Sequence, residues 1–379
     1  MPQAPAVCRA GGAARYLARA ATVACVMIGA TGVGQADEQR VVFGRSIAVE
    51  TVSDGAPTLS VRVQGRVFEP AEVSRKRQLA IDGLAPLLGG RRNDPLFRAR
   101  VGYFVSDSVR NARVSIAIGD RVVELPPTDA SGCFAADVAL GTDEARSLTR
   151  DGELTFRSQP GRRRSGSFDG NAVAVPQEGV TVITDVDDTI KETNIPVPAE
   201  AKANTFVRPF RPVPGMADLY RAWESTGKGK VHFHVVSAGP WHFHEPLQRF
   251  TTAAGFPAFT WDMRCIDITN PARLIRETLI SNPERLRRFK VGAIRALMQR
   301  LPRRHVVLVG DSGERDPEAY SDIVREFGER VDAVYIRNVG GRASATRRYE
   351  KLFPSPGAKS KLTVFEHPDE LPRQLDVAR

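Results

Sequence analysis

Cysteine is scarce in this chain, with 4 in 379 residues, and none has zinc-site spacing. Acidic residues are absent before Asp37. No internal repeat or array of long apolar runs is present, which excludes a solenoid and a multi-span membrane protein. The one apolar run, about residues 20–33, is too short to span a bilayer. It follows Arg9, Arg15 and Arg19 and precedes Gly34-Gln35-Ala36, with small residues at the cleavage-site positions. That pattern reads as a secretory signal peptide over 1–36 and predicts a secreted or periplasmic protein. Removal takes Cys8 and Cys25 with it. Cys133 and Cys265 remain; one disulfide is open to them in an oxidising compartment, but two separate buried thiols are the expectation.

What is abundant is positive charge. The formal net charge is +10, and +7 once the leader's three arginines are gone. Phosphate esters, acidic lipid surfaces and nucleic acid all suit such a surplus. About 340 mature residues suggest two domains. Residues 37–178 read as all-β, a β-sandwich, from alternation at 59–68, 98–105, 113–118, 121–125, 134–140 and 154–157. Residues 73–90 read as a helical excursion. Arg162-Arg163-Arg164 forms a basic loop, either a solvated turn or a contact with an anionic membrane.

From 179 to 379 the pattern becomes strands alternating with helices. Strands fall at 180–184, 231–236, 305–309 and 331–336, with helices at 216–225, 286–301 and 317–327. Alternation of this kind predicts an α/β fold, a Rossmann-like doubly wound parallel sheet. Ligands of such sheets bind beyond the carboxyl ends of the strands. Here the first strand ends in Asp185 and Asp187, the second in Ser237, and the third in Gly310-Asp311, with Asp316 five residues on. Lys290 lies on the helix leading to the third strand. Two carboxylates side by side repel unless a cation or proton is shared, so the cluster points to phosphoryl transfer with Mg²⁺.

Asp185-Val186-Asp187-Asp188-Thr189, Ser237, Lys290 and Gly310-Asp311 with Asp316 resemble the four motifs of the haloacid dehalogenase superfamily. Asp-Val-Asp-Asp-Thr-Ile-Lys, Ser-x-x-Pro-Trp and Gly-Asp-Ser-Gly-Glu-Arg-Asp-Pro-Glu-Ala-Tyr are more specifically similar to the actin-patch-type phosphatidate phosphatase catalytic domain. That resemblance implies Asp185 as nucleophile and Asp187 as acid and base, its pKa raised by acidic neighbours. It implies Mg²⁺ held by Asp185, the carbonyl of Asp187 and Asp311. Asp316 would hold a metal-bound water or orient Lys290. Ser237 and Lys290 would bind the phosphoryl group, with the N–H groups of Val186 and Asp187 cradling it. Thr189 is expected to fix the turn, with substrate binding as the alternative; Trp241 is a candidate for acyl contact or for packing. Residues 192–214 would form a short flap.

His232, His234, His242 and His244 are expected to pack rather than hold a metal. The expected function is Mg²⁺-dependent hydrolysis of phosphatidate to diacylglycerol and phosphate. The implied partner is a phospholipid at a membrane surface, with no nucleic acid and no transmembrane segment in the mature chain. Two alternatives stay open: a phosphatase for a soluble phosphomonoester, and a catalytically silent lipid-binding module.

Overall fold

The computed structural model describes residues 39–53, 55–70, 75–161, 163–164, 166–267, 282–339 and 342–376. The signal peptide expected at 1–36 lies outside them. Among them, no helix is long and apolar enough to cross a membrane.

The fold is mixed α/β, built on two sheets. The first carries nine strands: β1 (Arg40–Phe43), β2 (Ser46–Ser53), β3 (Ala56–Glu69), β4 (Asp107–Ser108), β5 (Ser115–Ile118), β6 (Arg121–Glu124), β7 (Cys133–Gly141), β8 (Glu153–Ser158) and β9 (Asp169–Ala174). They form one hydrogen-bonded sheet in the order β1-β3-β2-β9-β8-β5-β6, with β4 and β7 also on β3. It is a mixed sheet, because β2 and β9 run parallel while their neighbours run antiparallel.

The all-β expectation is corrected here. The helix Arg75–Leu88 was anticipated, but Pro95–Phe104 is a helix where a strand over 98–105 was expected. Asp94 accepts hydrogen bonds from the N–H groups of Leu96 and Phe97, and Pro95 opens the first turn. A side-chain cap and a proline with helical φ outweigh a short alternation.

The second sheet has six strands, all parallel: β10 (Val180–Thr184), β11 (Val231–Pro240), β12 (Thr260–Arg264), β13 (His305–Asp311), β14 (Val331–Arg337) and β15 (Leu362–Phe365). Their order is β12-β11-β10-β13-β14-β15. Helices cover both faces. Val182 packs among Leu219, Tyr220 and Trp223 of the helix Met216–Thr226. Ile183, one residue on and so on the opposite face, packs among Ile294 of Pro283–Arg300 and Ile323 of Asp316–Phe327.

The two sheets share a core, with Phe97, Val101 and Phe104 joining Phe206, Trp241 and Phe243. Gln64 Nε2 donates to the carbonyl of Trp261 at 2.6 Å, and Arg300 forms a bidentate pair with Asp137 at 2.8 and 2.7 Å. A disulfide joins Cys133 to Cys265, Cα atoms 6.2 Å apart, so the expected separate thiols are in fact paired. That pairing follows from how the regions dock, which spacing along the chain does not encode.

Candidate active site

β10 and β13 are central neighbours in register, Thr184 beside Val309, so their ends deliver Asp185 and Asp311 to one place. Gly310 permits the approach of the third carboxylate: a Cβ there would lie 2.5 Å from Asp316 Oδ2. Asn282 caps the helix Pro283–Arg300 and fixes its entry, and one buried face of that helix carries Lys290 inward.

The four groups meet in a single buried cluster. Lys290 Nζ lies 2.9 Å from Asp185 Oδ1, 3.2 Å from Glu314 Oε2, and against Asp316 Oδ1. Burial works to lower its pKa but is outweighed by Asp185, Asp316 and Glu314, which push it well up. Asp316 is fully buried and also accepts from the N–H of Asp311 at 3.2 Å. Its contact with Lys290 is the geometry that the expected Lys290-orienting role requires.

Asp185, Asp311 and Glu314 could hold a metal ion: one oxygen of each lies within 4.8 Å of the others. Asp185 Oδ2 and Asp311 Oδ2 are buried with no hydrogen-bond partner among the described residues. Burial, reinforced by neighbouring carboxylates, pushes both groups well above the usual carboxylate range. A divalent cation accepting those oxygens would reverse the penalty, and this hard oxygen set suits Mg²⁺. Glu314 stands between Asp311 and Asp316, at a position the third-strand motif leaves open, so no sequence signal marked it.

The three acids after β10 have separate tasks. Asp187 accepts from Thr193 and pairs with Lys191 Nζ at 2.7 Å. Burial works to raise its pKa; Lys191 and hydrogen bonds from Lys191 and Thr193 outweigh it and hold Asp187 below the usual range. The raised value expected from acidic crowding is therefore reversed by Lys191, four residues on. Asp188 adopts a left-handed conformation, φ 56°, and accepts from the N–H groups of Thr193, Asn194 and Ile195 at 2.9, 2.6 and 2.7 Å. It anchors the start of the flap.

Val186 and Thr189 are fully buried in the same turn, where the Val186 carbonyl accepts from Ile190 and Lys191. Thr189 Oγ1 has no partner among the described residues. Ser237 Oγ accepts from the N–H of Gly239 at 3.1 Å. With Asp187 and Lys191, Ser237 lines one groove. Trp241 does not line it. It stacks on His244 at 5.0 Å and fills the space beside Gly44, where a Cβ would lie 2.6 Å from its ring. The structure thus gives Trp241 the packing role.

His232, His234, His242 and His244 are all buried. His232 Nε2 and His234 Nδ1 meet Thr260 Oγ1 at 2.8 and 2.7 Å, while His242 lies over Phe104. In the basic loop, Arg164 is buried and donates to the carbonyl of Gln159, and Arg163 pairs with Glu69. Arg162 lies outside the described residues.

A parallel sheet with carboxylates and one lysine gathered at its strand ends is an arrangement suited to phosphoryl transfer. Residues 180–338, which contain every motif position, match the family described as phosphatidate phosphatase APP1, catalytic domain. The resemblance read from the motifs therefore stands. An uncharacterised protein of Schizosaccharomyces pombe is 29% identical over 166 residues, covering 43% of this chain and 26% of its own length. Phosphatidate phosphatase APP1 of Saccharomyces cerevisiae is 24% identical over 261 residues, covering 65% of this chain and 41% of its own length. The chain thus spans well under half of either relative.

Proposed function

We propose that the chain is a Mg²⁺-dependent phosphatidate phosphatase of haloacid dehalogenase type, working through an aspartyl-phosphate at Asp185. The observation that carries this reading is the buried Asp185–Lys290–Asp316 array with unpartnered oxygens on Asp185 and Asp311. A binding module has no use for so costly a cluster. The family match at 180–338 and the likeness to the yeast phosphatase support phosphatidate as substrate.

Asp185, Asp311 and Glu314 would hold Mg²⁺, with the Asp187 carbonyl as a further oxygen. When bound, the ion neutralises charge on the phosphoryl oxygens. Lys290 holds Asp185 Oδ1, which fixes the carboxylate's plane and leaves the other oxygen available. Asp185 attacks phosphorus, forming the Asp–phosphate bond as the ester P–O bond breaks. Asp187 gives its proton to the departing diacylglycerol oxygen. It then takes one from the water that attacks the aspartyl-phosphate, and inorganic phosphate leaves. Lys191 holds Asp187 as a carboxylate in the empty site; a phosphate monoester arriving as its monoanion would hand Asp187 the proton that then passes to the leaving oxygen. Ser237, Lys290 and the N–H groups of Val186 and Asp187 would orient the phosphoryl group.

The reading includes export and a division into leader (1–36), β-rich region (37–178) and catalytic region (179–379). The Cys133–Cys265 disulfide supports an oxidising compartment, secreted or periplasmic. The test is phosphate release from phosphatidate in mixed micelles, set beside soluble phosphate esters. Release from phosphatidate upholds the reading; hydrolysis of the soluble esters alone would favour a soluble phosphomonoester, and none at all would return the chain to the binding-module class.

A further inference from the structure

The groove lined by Asp187, Lys191 and Ser237 does not stay polar. Beside them, and with Lys202 and Thr205, its wall includes Ile195, Phe206, Phe210, Phe243, Leu247 and Met263, around a volume of about 180 Å³. Ile195, Phe206 and Phe210 come from the flap, Phe243, Leu247 and Met263 from the parallel-sheet region, and Phe104 closes the wall from the first region.

The flap is tied at both ends. Asp188 accepts three N–H groups at its start. Near its end, Arg100 donates to the carbonyls of Thr205 and Arg208 at 2.7 and 2.9 Å, and its guanidinium lies 3.4 Å from the Phe210 ring centroid. Phe104 packs on Phe206 and Phe243, with ring centroids 5.4 and 4.5 Å away. The cation–π contact and the paired carbonyls make this a preformed wall.

We propose that this groove takes the glycerol-proximal hydrocarbon of one acyl chain, so that the first region, through Arg100 and Phe104, takes part in substrate selection. The proposal rests on the phosphatase reading. Its occupant must carry both an anionic ester and hydrocarbon, because the groove sets an acid, an ammonium and a hydroxyl beside aromatic and aliphatic carbon, with Lys191 Nζ 5.0 Å from the Phe210 ring centroid. A phospholipid monoester meets both conditions, and a free sugar phosphate meets only the first. Apolar contact next to the reacting phosphorus also fixes orientation, which raises turnover as well as binding.

The experiment uses the full chain with Mg²⁺ and monodisperse phosphatidates below micelle formation, with acyl chains lengthening from butyryl to octanoyl. Glycerol 3-phosphate and p-nitrophenyl phosphate are the chain-free references. The expected result is kcat/KM rising roughly fourfold per methylene withdrawn from water, then levelling once the groove is full. Ile195→Trp and, separately, Ala201→Phe should lower the ratio of octanoyl phosphatidate to p-nitrophenyl phosphate by about tenfold, circular dichroism checking the fold. A chain-length profile that is flat while all esters are hydrolysed overturns the groove proposal and leaves the phosphatase reading standing. A ratio unmoved in both folded variants overturns it too. No phosphate release from any ester overturns the phosphatase reading itself.

Discussion

Arg66 in the mixed-sheet region and the acids Asp185 and Asp311 at the strand ends of the parallel sheet are buried in opposite ways. In the mixed-sheet region Arg66 is 3% exposed, yet its guanidinium is spent on the chain itself. It donates to the carbonyls of Ser131 and Ser106 and to the hydroxyls of Ser106 and Ser108. Burial lowers its pKa to about 9, and it remains a cation with its hydrogen bonds made. At the strand ends of the parallel sheet, burial is as deep, but Asp185 and Asp311 each keep an oxygen without a partner among the described residues. Like charges crowd them as well. Buried charge satisfied from within is architecture; buried charge short of partners is poised for a ligand.

The sharpest way to break this contrast is at Asp185. Asp185→Asn keeps the shape and removes the attacking charge. Turnover should fall by about three orders of magnitude or more, with the thermal transition retained. Near-normal kinetics in the folded variant would remove the nucleophile from the account. Metal comes next. EDTA should abolish phosphate release and Mg²⁺ restore it, and Glu314→Gln should raise the half-saturating Mg²⁺ concentration by about tenfold or more. A Glu314→Gln titration that overlays the parent's would exclude that residue from the metal set.

The remaining effects concern architecture and should spare the chemistry. Replacing Cys133 and Cys265 together by Ser unties the two regions and should cost about 2–4 kcal/mol, read by denaturant melts with and without reductant. Melts of parent and variant that coincide without reductant would show the bond to be energetically idle. Arg66→Met leaves buried oxygens without their donor and should cost roughly 1–3 kcal/mol while leaving kcat unchanged. A loss of kcat without a loss of stability would dissolve the distinction between the two kinds of buried charge.

The smallest effect is at the Arg300–Asp137 pair between the regions. Burial works to raise the Asp137 pKa, but Arg300 and Arg62 outweigh it and hold it below the ordinary value. Its contribution is therefore complete above the unfolded value of about 3.9 and fades as pH falls through the lower folded value. Stability curves of parent and Asp137→Asn should differ at neutral pH and converge in acid. A gap that stays constant with pH would mean the carboxylate's charge is not what the contact uses.

The strands that carry the candidate site were legible because each is a short apolar run with a polar group at its end, a signal contained within a few residues. Asp185, Lys290, Asp311 and Asp316 meet as their order predicted. What was not legible depends on long-range approach. Cys133 finds Cys265 only after the regions dock, 132 residues apart in sequence. Arg100 reaches flap carbonyls more than a hundred residues away, and no local pattern marks it. The helix Pro95–Phe104 did have a local signal in Asp94-Pro95, which the alternation of Arg98, Arg100 and Val101 obscured. Lys191 ended the nucleophile motif in plain view. Its hold on Asp187 needed the turn geometry that brings position four back beside position zero.

The central claim is that Asp185 carries the phosphoryl group. Protein acid-quenched during phosphatidate turnover, digested and weighed by mass spectrometry, tests it directly. The account predicts one phosphoryl group on the peptide containing Asp185, formed within the first turnover and missing from Asp185→Asn. Full turnover of phosphatidate with no phosphoryl group on that peptide at any quench time would contradict it.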